Sequence, residues 1–192
     1  MKKVICVGDS IRMGYEPTVV TGLTGCANVI EMGRIQGGNT RNVIAHLHDW
    51  VIEKGPQIIH INAGLHDMAR QPGPGPENAV PIDEYRANLE QILTTLQNET
   101  NAVIIFALTT PVNLNRQLAI AKAVNRTSED VANYNETALL TATKFAIAVN
   151  DLHRVVVEYG ADDLLADDGV HFTTEGYDIL GRAVAETIRQ AV

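Results

Sequence analysis

The chain has 192 residues, 45% of them apolar and 20% charged, globular proportions that exclude disorder, collagen-like repeats and low-complexity architecture and suit one domain over residues 1–192. Fifteen Lys and Arg stand against 23 Asp and Glu, a net charge of −8, so the cationic surplus on which phosphate-backbone binding relies is missing and nucleic acid is not an expected partner. The longest apolar run, Ala102 to Leu108, falls far short of the ~20 residues of a membrane-spanning helix, and a membrane partner is not expected either.

Taken in chain order, short apolar runs alternate with longer amphipathic stretches, the pattern of an α/β fold with a parallel sheet. The first predicted strand, Lys3–Val7, stops at Gly8. It is too short for the ~7–15-residue apolar core of a signal peptide, so the expected location is cytoplasmic. Two cysteines, Cys6 and Cys26, are too few for a disulfide framework, and Cys6 within its apolar run reads as a small buried thiol. The Asn-x-Thr sequons at Asn98, Asn125 and Asn135 are read as accidental in that compartment.

Gly8-Asp9-Ser10-Ile11 follows, placing a serine where a strand gives way to a helix, beside free backbone N–H groups and the positive end of the helix dipole. Ser10 is a candidate nucleophile; a simple helix cap is the alternative. The second strand, Ala27–Met32, leads into Gly33 to Thr40 and then a helix over 40–54 marked by Ile44, Leu47 and Val51. Strand three, Gln57–Asn62, leads into Gly64-Leu65-His66-Asp67. The stretch Arg70 to Ile82 holds Pro72, Pro74, Pro76 and Pro81 with Gly73 and Gly75, a loop rather than a linker because the same alternation resumes beyond it.

A helix capped by Asp83 carries Tyr85, Leu89, Ile92, Leu93 and Leu96 at helical spacing. Strand four is Ala102–Leu108, and Ser-Glu-Asp opens a helix over 128–143. Strand five is Phe145–Asn150. Before the last helix, marked by Tyr177, Leu180, Val184 and Ile188, stands Asp168-Gly169-Val170-His171. Asp and His three residues apart in a Gly-containing turn allow the carboxylate to fix the imidazole while the other ring nitrogen faces a serine, which needs such a base. The competing reading is turn chemistry alone.

Together these segments resemble the SGNH, or GDSL-like, hydrolase family along almost the whole chain. Val7-Gly8-Asp9-Ser10-Ile11 is similar to its first block and Asp168-Gly169-Val170-His171-Phe172-Thr173 to its last. The resemblance implies a three-layer α/β/α sandwich, flavodoxin-like, with a central parallel sheet of about five strands. It also implies a serine esterase or acylhydrolase without cofactor, acting on a small-molecule ester through Ser10, His171 and Asp168. The oxyanion donors would be the backbone N–H of Ser10, a glycine of the second block and a side chain of the third. Gly38 in Gly38-Asn39-Thr40 is the natural match for the second, with Gly37 one residue away.

The third block departs from the family's Gly-x-Asn-Asp, because His66 stands in the place of the asparagine. A neutral imidazole has one N–H to give, so His66 remains a chemically sensible donor, with core packing as its alternative. Low aromatic content, 5%, tilts the substrate towards a short acyl group such as acetyl on a carbohydrate. Arg12, Arg34, Arg41 and Arg70 lie in or beside the site-forming segments and are candidates for binding an acidic substrate group; pairing with the surplus carboxylates is the equal alternative.

Other readings carry less. Gly33 to Thr40 nearly matches a phosphate-binding loop, but Asn39 stands where the lysine belongs. His46 and His48 project about 200° apart on a helix and cannot share a metal ion. Arg12 replaces the second glycine of a Gly-x-Ser-x-Gly elbow. A family member that binds a carbohydrate or partner without catalysis is the reading from another class.

Overall fold

The computed structural model describes residues 1–34, 37–70, 77–120 and 125–192. Pro72, Gly73, Pro74, Gly75 and Pro76 of the expected loop, and Ile35 and Gln36 of the segment from Gly33 to Thr40, lie outside the described residues. Five parallel strands, β1 (Lys2–Val7), β2 (Ala27–Ile30), β3 (Ile58–Ile61), β4 (Val103–Ala107) and β5 (Ala148–Asn150), form one sheet in the order β2-β1-β3-β4-β5. This is the flavodoxin-like order, in which the chain reverses direction across the sheet beside β1 and β3. Val4 to Val7 and Ile58 to Ile61 are all buried, as strands covered on both faces must be.

The helices are α1 (Ser10–Gly22), α2 (Thr40–Trp50), α3 (Ile82–Glu99), α4 (Leu114–Ala119), α5 (Ser128–Lys144), α6 (Leu152–Glu158), α7 (Ala161–Leu164) and α8 (Thr174–Arg189). α8 packs on α1 and α6, while α3 packs on α2 and α5, giving a helical layer on either face of the sheet. The strand cores fall where expected, but four of the five strands are shorter than the apolar runs that announce them. In the fifth, Phe145 is the C-cap of α5 and Ala146 adopts a positive φ of 56°, so pairing begins only at Ala148.

Asp83 is not the cap of α3. The helix starts at Ile82 behind Pro81, with no side-chain cap, and Asp83 sits in the first turn, where its charge suits the helix dipole. α4, α6 and α7 were not anticipated; each is too short to display an apolar period. Cys6 is buried in β1 and its thiol is pushed up to about 12, chiefly by that burial, which makes it unreactive. No described helix is long and apolar enough to cross a membrane.

Candidate active site

Asp9, two residues beyond the end of β1, caps α1, its side chain accepting from the Ile11 N–H at 2.9 Å. Asp9 therefore takes the capping role, and Ser10 stands in the first turn of the helix with its hydroxyl directed elsewhere. Ser10 Oγ lies 2.9 Å from His171 Nε2. His171 Nδ1 lies 2.6 Å from Asp168 Oδ2, while Asp168 Oδ1 accepts from the N–H groups of Val170 and His171, each at 2.9 Å. The carboxylate thus closes the turn and orients the imidazole at once. With Nδ1–H donating to Asp168, Nε2 presents a lone pair to the Ser10 hydroxyl.

The turn is rigidly held. Gly169 has φ of 70°, and a Cβ there would lie 2.3 Å from the Asn113 carbonyl oxygen. Its own carbonyl accepts from Asn113 N–H, Ala166 N–H donates to the His171 carbonyl, and Arg116 Nη1 donates to Leu165 O at 2.6 Å. Thr173 then caps α8 through Gly176 N–H.

The second segment meets the first through its backbone: Gly37 N–H donates to Gly8 O at 2.8 Å. Gly37 is therefore not available as an oxyanion donor. Gly38, with φ of 62°, has an N–H without a partner among the described residues. Asn39 is spent on capping α2, accepting from Asn42 N–H, so it does not stand in for a phosphate-binding lysine.

His66 is half-buried and has no hydrogen-bond partner among the described residues. With Gly38, Asn39, Asn42, Ala69, Ala79 and Arg126 it lines an open cavity of about 450 Å³. Burial lowers its pKa first of all; Asp9 opposes this, while Arg126 and the neighbouring His171 lower it further. The imidazole is accordingly held neutral to lower pH than a free one, as a donor that need not carry charge requires. Beside it, Asp67 accepts from Thr40 N–H at 2.9 Å and Thr40 Oγ1 at 2.5 Å, tying this loop to the start of α2.

Ser10, Asp168, His171, Gly38 and His66 are thus gathered at the carboxyl ends of β1 and β3, but the four arginines are not gathered with them. Arg12 is buried and donates to Glu16 at 2.7 Å and to Gly33 O at 3.1 Å. Arg41 forks onto Glu84 at 2.6 and 2.7 Å in solvent, and Arg34 is exposed. Arg70 forks onto Asp130 at 2.7 Å beside a different cavity of about 710 Å³, which also takes in Glu77, Tyr134 and Glu136. His46 stacks on Trp50 at 4.3 Å, and His48 lies exposed beside Asp49 and Glu53, so the two histidines do not converge.

The cation in the cavity is Arg126, which the sequence did not single out. It follows no strand and belongs to no motif; only its place just before the Thr127 cap of α5 hints at a fixed position.

The model of the GDSL-like lipase/acylhydrolase family matches residues 6–179. The chain belongs to that family. Membership makes it a carboxylic ester hydrolase. Among solved structures, a lipase/acylhydrolase from Enterococcus faecalis superposes with a TM-score of 0.83 at 22% identity, over 100% of this chain and 97% of that one. Axe2, an acetylxylan esterase from Geobacillus stearothermophilus, gives 0.74 at 20% identity over 97% and 94%. A GDSL-like lipase from Bacteroides thetaiotaomicron gives 0.76 at 20% over 100% and 89%. At these identities the likeness is one of fold. No curated protein matches the sequence.

Proposed function

We propose that this GDSL-family hydrolase is a serine esterase that removes small acyl groups, acetyl on a carbohydrate in particular, through an acyl-enzyme. The observation that carries the reading is the chain Ser10 Oγ to His171 Nε2 at 2.9 Å and His171 Nδ1 to Asp168 Oδ2 at 2.6 Å. His171 takes the Ser10 proton as Oγ bonds to the ester carbonyl carbon, and the carbonyl oxygen becomes an oxyanion. The N–H groups of Ser10 and Gly38 and the His66 ring would hold that oxygen. As the tetrahedral adduct collapses, the alcohol leaves with the proton from His171. Water then gives its proton to the same Nε2, attacks the acyl carbon and frees the acid and Ser10.

No step needs a metal or redox partner. The acetyl preference is supported by the small Ala69 and Ala79 side chains in the cavity and by fold neighbours described as acetylxylan esterases.

A fluorophosphonate probe tests the mechanism, since only an activated serine reacts readily. Labelling of the wild type, absent in Ser10→Ala and strongly slowed in His171→Ala, is the expected result; an unlabelled wild type, or label retained by Ser10→Ala, would overturn it. Turnover across acyl lengths and acetylated xylo-oligosaccharides then tests the substrate class, with acetyl expected to lead.

A further inference from the structure

Arg126 is only 7% exposed, yet among the described residues most of its hydrogen-bonding capacity is unused. Its Nε donates to Leu65 O at 2.6 Å, and its backbone N–H and C=O are matched by the Gln117 side chain at 2.9 and 3.1 Å. Nη1 and Nη2, with four N–H donors between them, have no acceptor among the described residues, and no carboxylate there lies within ion-pair distance. The side chain lines the same cavity as Gly38 and His66.

Neither Nη1 nor Nη2 is among the fully enclosed unpartnered polar atoms, so these donors open onto the cavity, where a largely buried guanidinium gains from a matched anion. The two carboxylates that act on it electrostatically are occupied elsewhere: Asp9 accepts from Ile11 N–H, and Asp168 holds His171. Burial depresses the Arg126 pKa, and those two carboxylates only partly restore it, which leaves a cation that an anion in the cavity would stabilise.

We propose that Arg126 forms an anion-recognising subsite beside the oxyanion donors, selecting esters that carry a carboxylate near the scissile bond; the selection of esters rests on the serine-esterase reading above. A guanidinium fork matches a carboxylate with two parallel hydrogen bonds. The molecule's net −8 would repel such a substrate at long range, but screening weakens that field beyond about 10 Å at 0.1 M salt, whereas a buried contact is screened far less.

Phenyl acetate and the 2-, 3- and 4-acetoxybenzoates supply the test, because each acetoxybenzoate adds one carboxylate at a different reach. The ratio of kcat/KM for the best acetoxybenzoate to that for phenyl acetate should fall roughly tenfold or more in Arg126→Gln and be partly restored in Arg126→Lys. The change in ratio cancels the intrinsic reactivities of the esters. An unchanged ratio would overturn the proposal, including the case where both substrates slow equally because Arg126 merely supports Leu65 and hence His66.

A second readout needs no turnover. Benzoate should bind the wild type roughly tenfold more tightly than Arg126→Gln by calorimetric titration. Equal or undetectable binding to both sinks the subsite whatever the esters do. If benzoate discriminates but no ester is cleaved and no fluorophosphonate label appears, the subsite stands and the esterase reading fails.

Discussion

His66 shows how one residue can be judged only when its partners are known. An imidazole in a core finds a partner, as His60 does in Asn150 Nδ2 at 3.1 Å; His66 is instead half-buried, unbonded among the described residues and turned to the cavity that Gly38 also lines. If its N–H meets the oxyanion, His66→Ala should lower kcat by roughly 10²–10³ with a much smaller change in KM, and His66→Asn should recover part of the loss. Steady-state kinetics on a short-chain aryl ester decides this, and a fall below about threefold would return His66 to a packing role.

At the scale of elements, the hydrogen-bonded pair Ser10 and His171 is assembled by two helices. Ser10 opens α1 and His171 stands three residues before α8, so the packing of these helices sets the distance between them. The contact is close because Gly181 of α8 carries no side chain: a Cβ there would lie 2.5 Å from Thr18 Cβ and 2.9 Å from Tyr15 O. Thr18 Oγ1 also donates to Asp178 at 2.8 Å, pinning the same crossing. Gly181→Ala must therefore part the helices. Overpacking of this kind costs about 1–3 kcal/mol, visible as a lower urea midpoint, and turnover should fall with it because the Ser10 to His171 bond lengthens. A variant as stable and active as the wild type would show that the crossing has slack.

For the whole molecule, two buried groups give opposite responses to acid. His60 is fully buried in β3 and its pKa is lowered to about 4 by desolvation. The unfolded chain takes up that proton near 6.5, so His60 removes stability as pH falls from about 6.5 to 4. Asp67 is raised to about 6, mainly by burial, and its Oδ2 has no hydrogen-bond partner among the described residues. Between about 3.8 and 6 the folded form binds the extra proton, so Asp67 adds stability as pH falls. Asp67→Asn removes this second contribution. Relative to the wild type it should be more stable at pH 7, with the advantage shrinking as pH drops to 4. Urea unfolding across that range measures the difference, and a gap that does not narrow with acid would contradict the assignment.

How far the site could be read from residues depended on how local each signal was. Ser10 with Gly8 and Asp9, and Asp168 with His171, are short segments at strand or helix ends, where neighbours in sequence dictate the turn. The same locality made the five strand cores legible as apolar runs. It failed for strand ends, because a residue such as Phe145 is equally apolar whether it caps a helix or pairs in a sheet. Asp83 looked like a cap because acidic residues suit the cap and the first turn alike.

Charge was the least legible feature. Arg41 pairs with Glu84 and Arg70 with Asp130, 43 and 60 positions away, and no local pattern announces such partners. By the same logic Arg126 carries no motif, yet the chain's path through Leu65 and Gln117 holds it in the cavity. The sequence alone determined the fold class, the family and the Ser, His and Asp that it places at loop ends, because periodicity and turn chemistry act over a few residues. Only the tertiary structure spent the Gly37 N–H on Gly8 O, left that of Gly38 without a partner among the described residues, paired Arg12, Arg41 and Arg70 with carboxylates and brought Arg126 to the cavity. Hydrogen bonds and ion pairs are made between whatever the fold brings within about 3 Å, and that proximity is not written in any one segment.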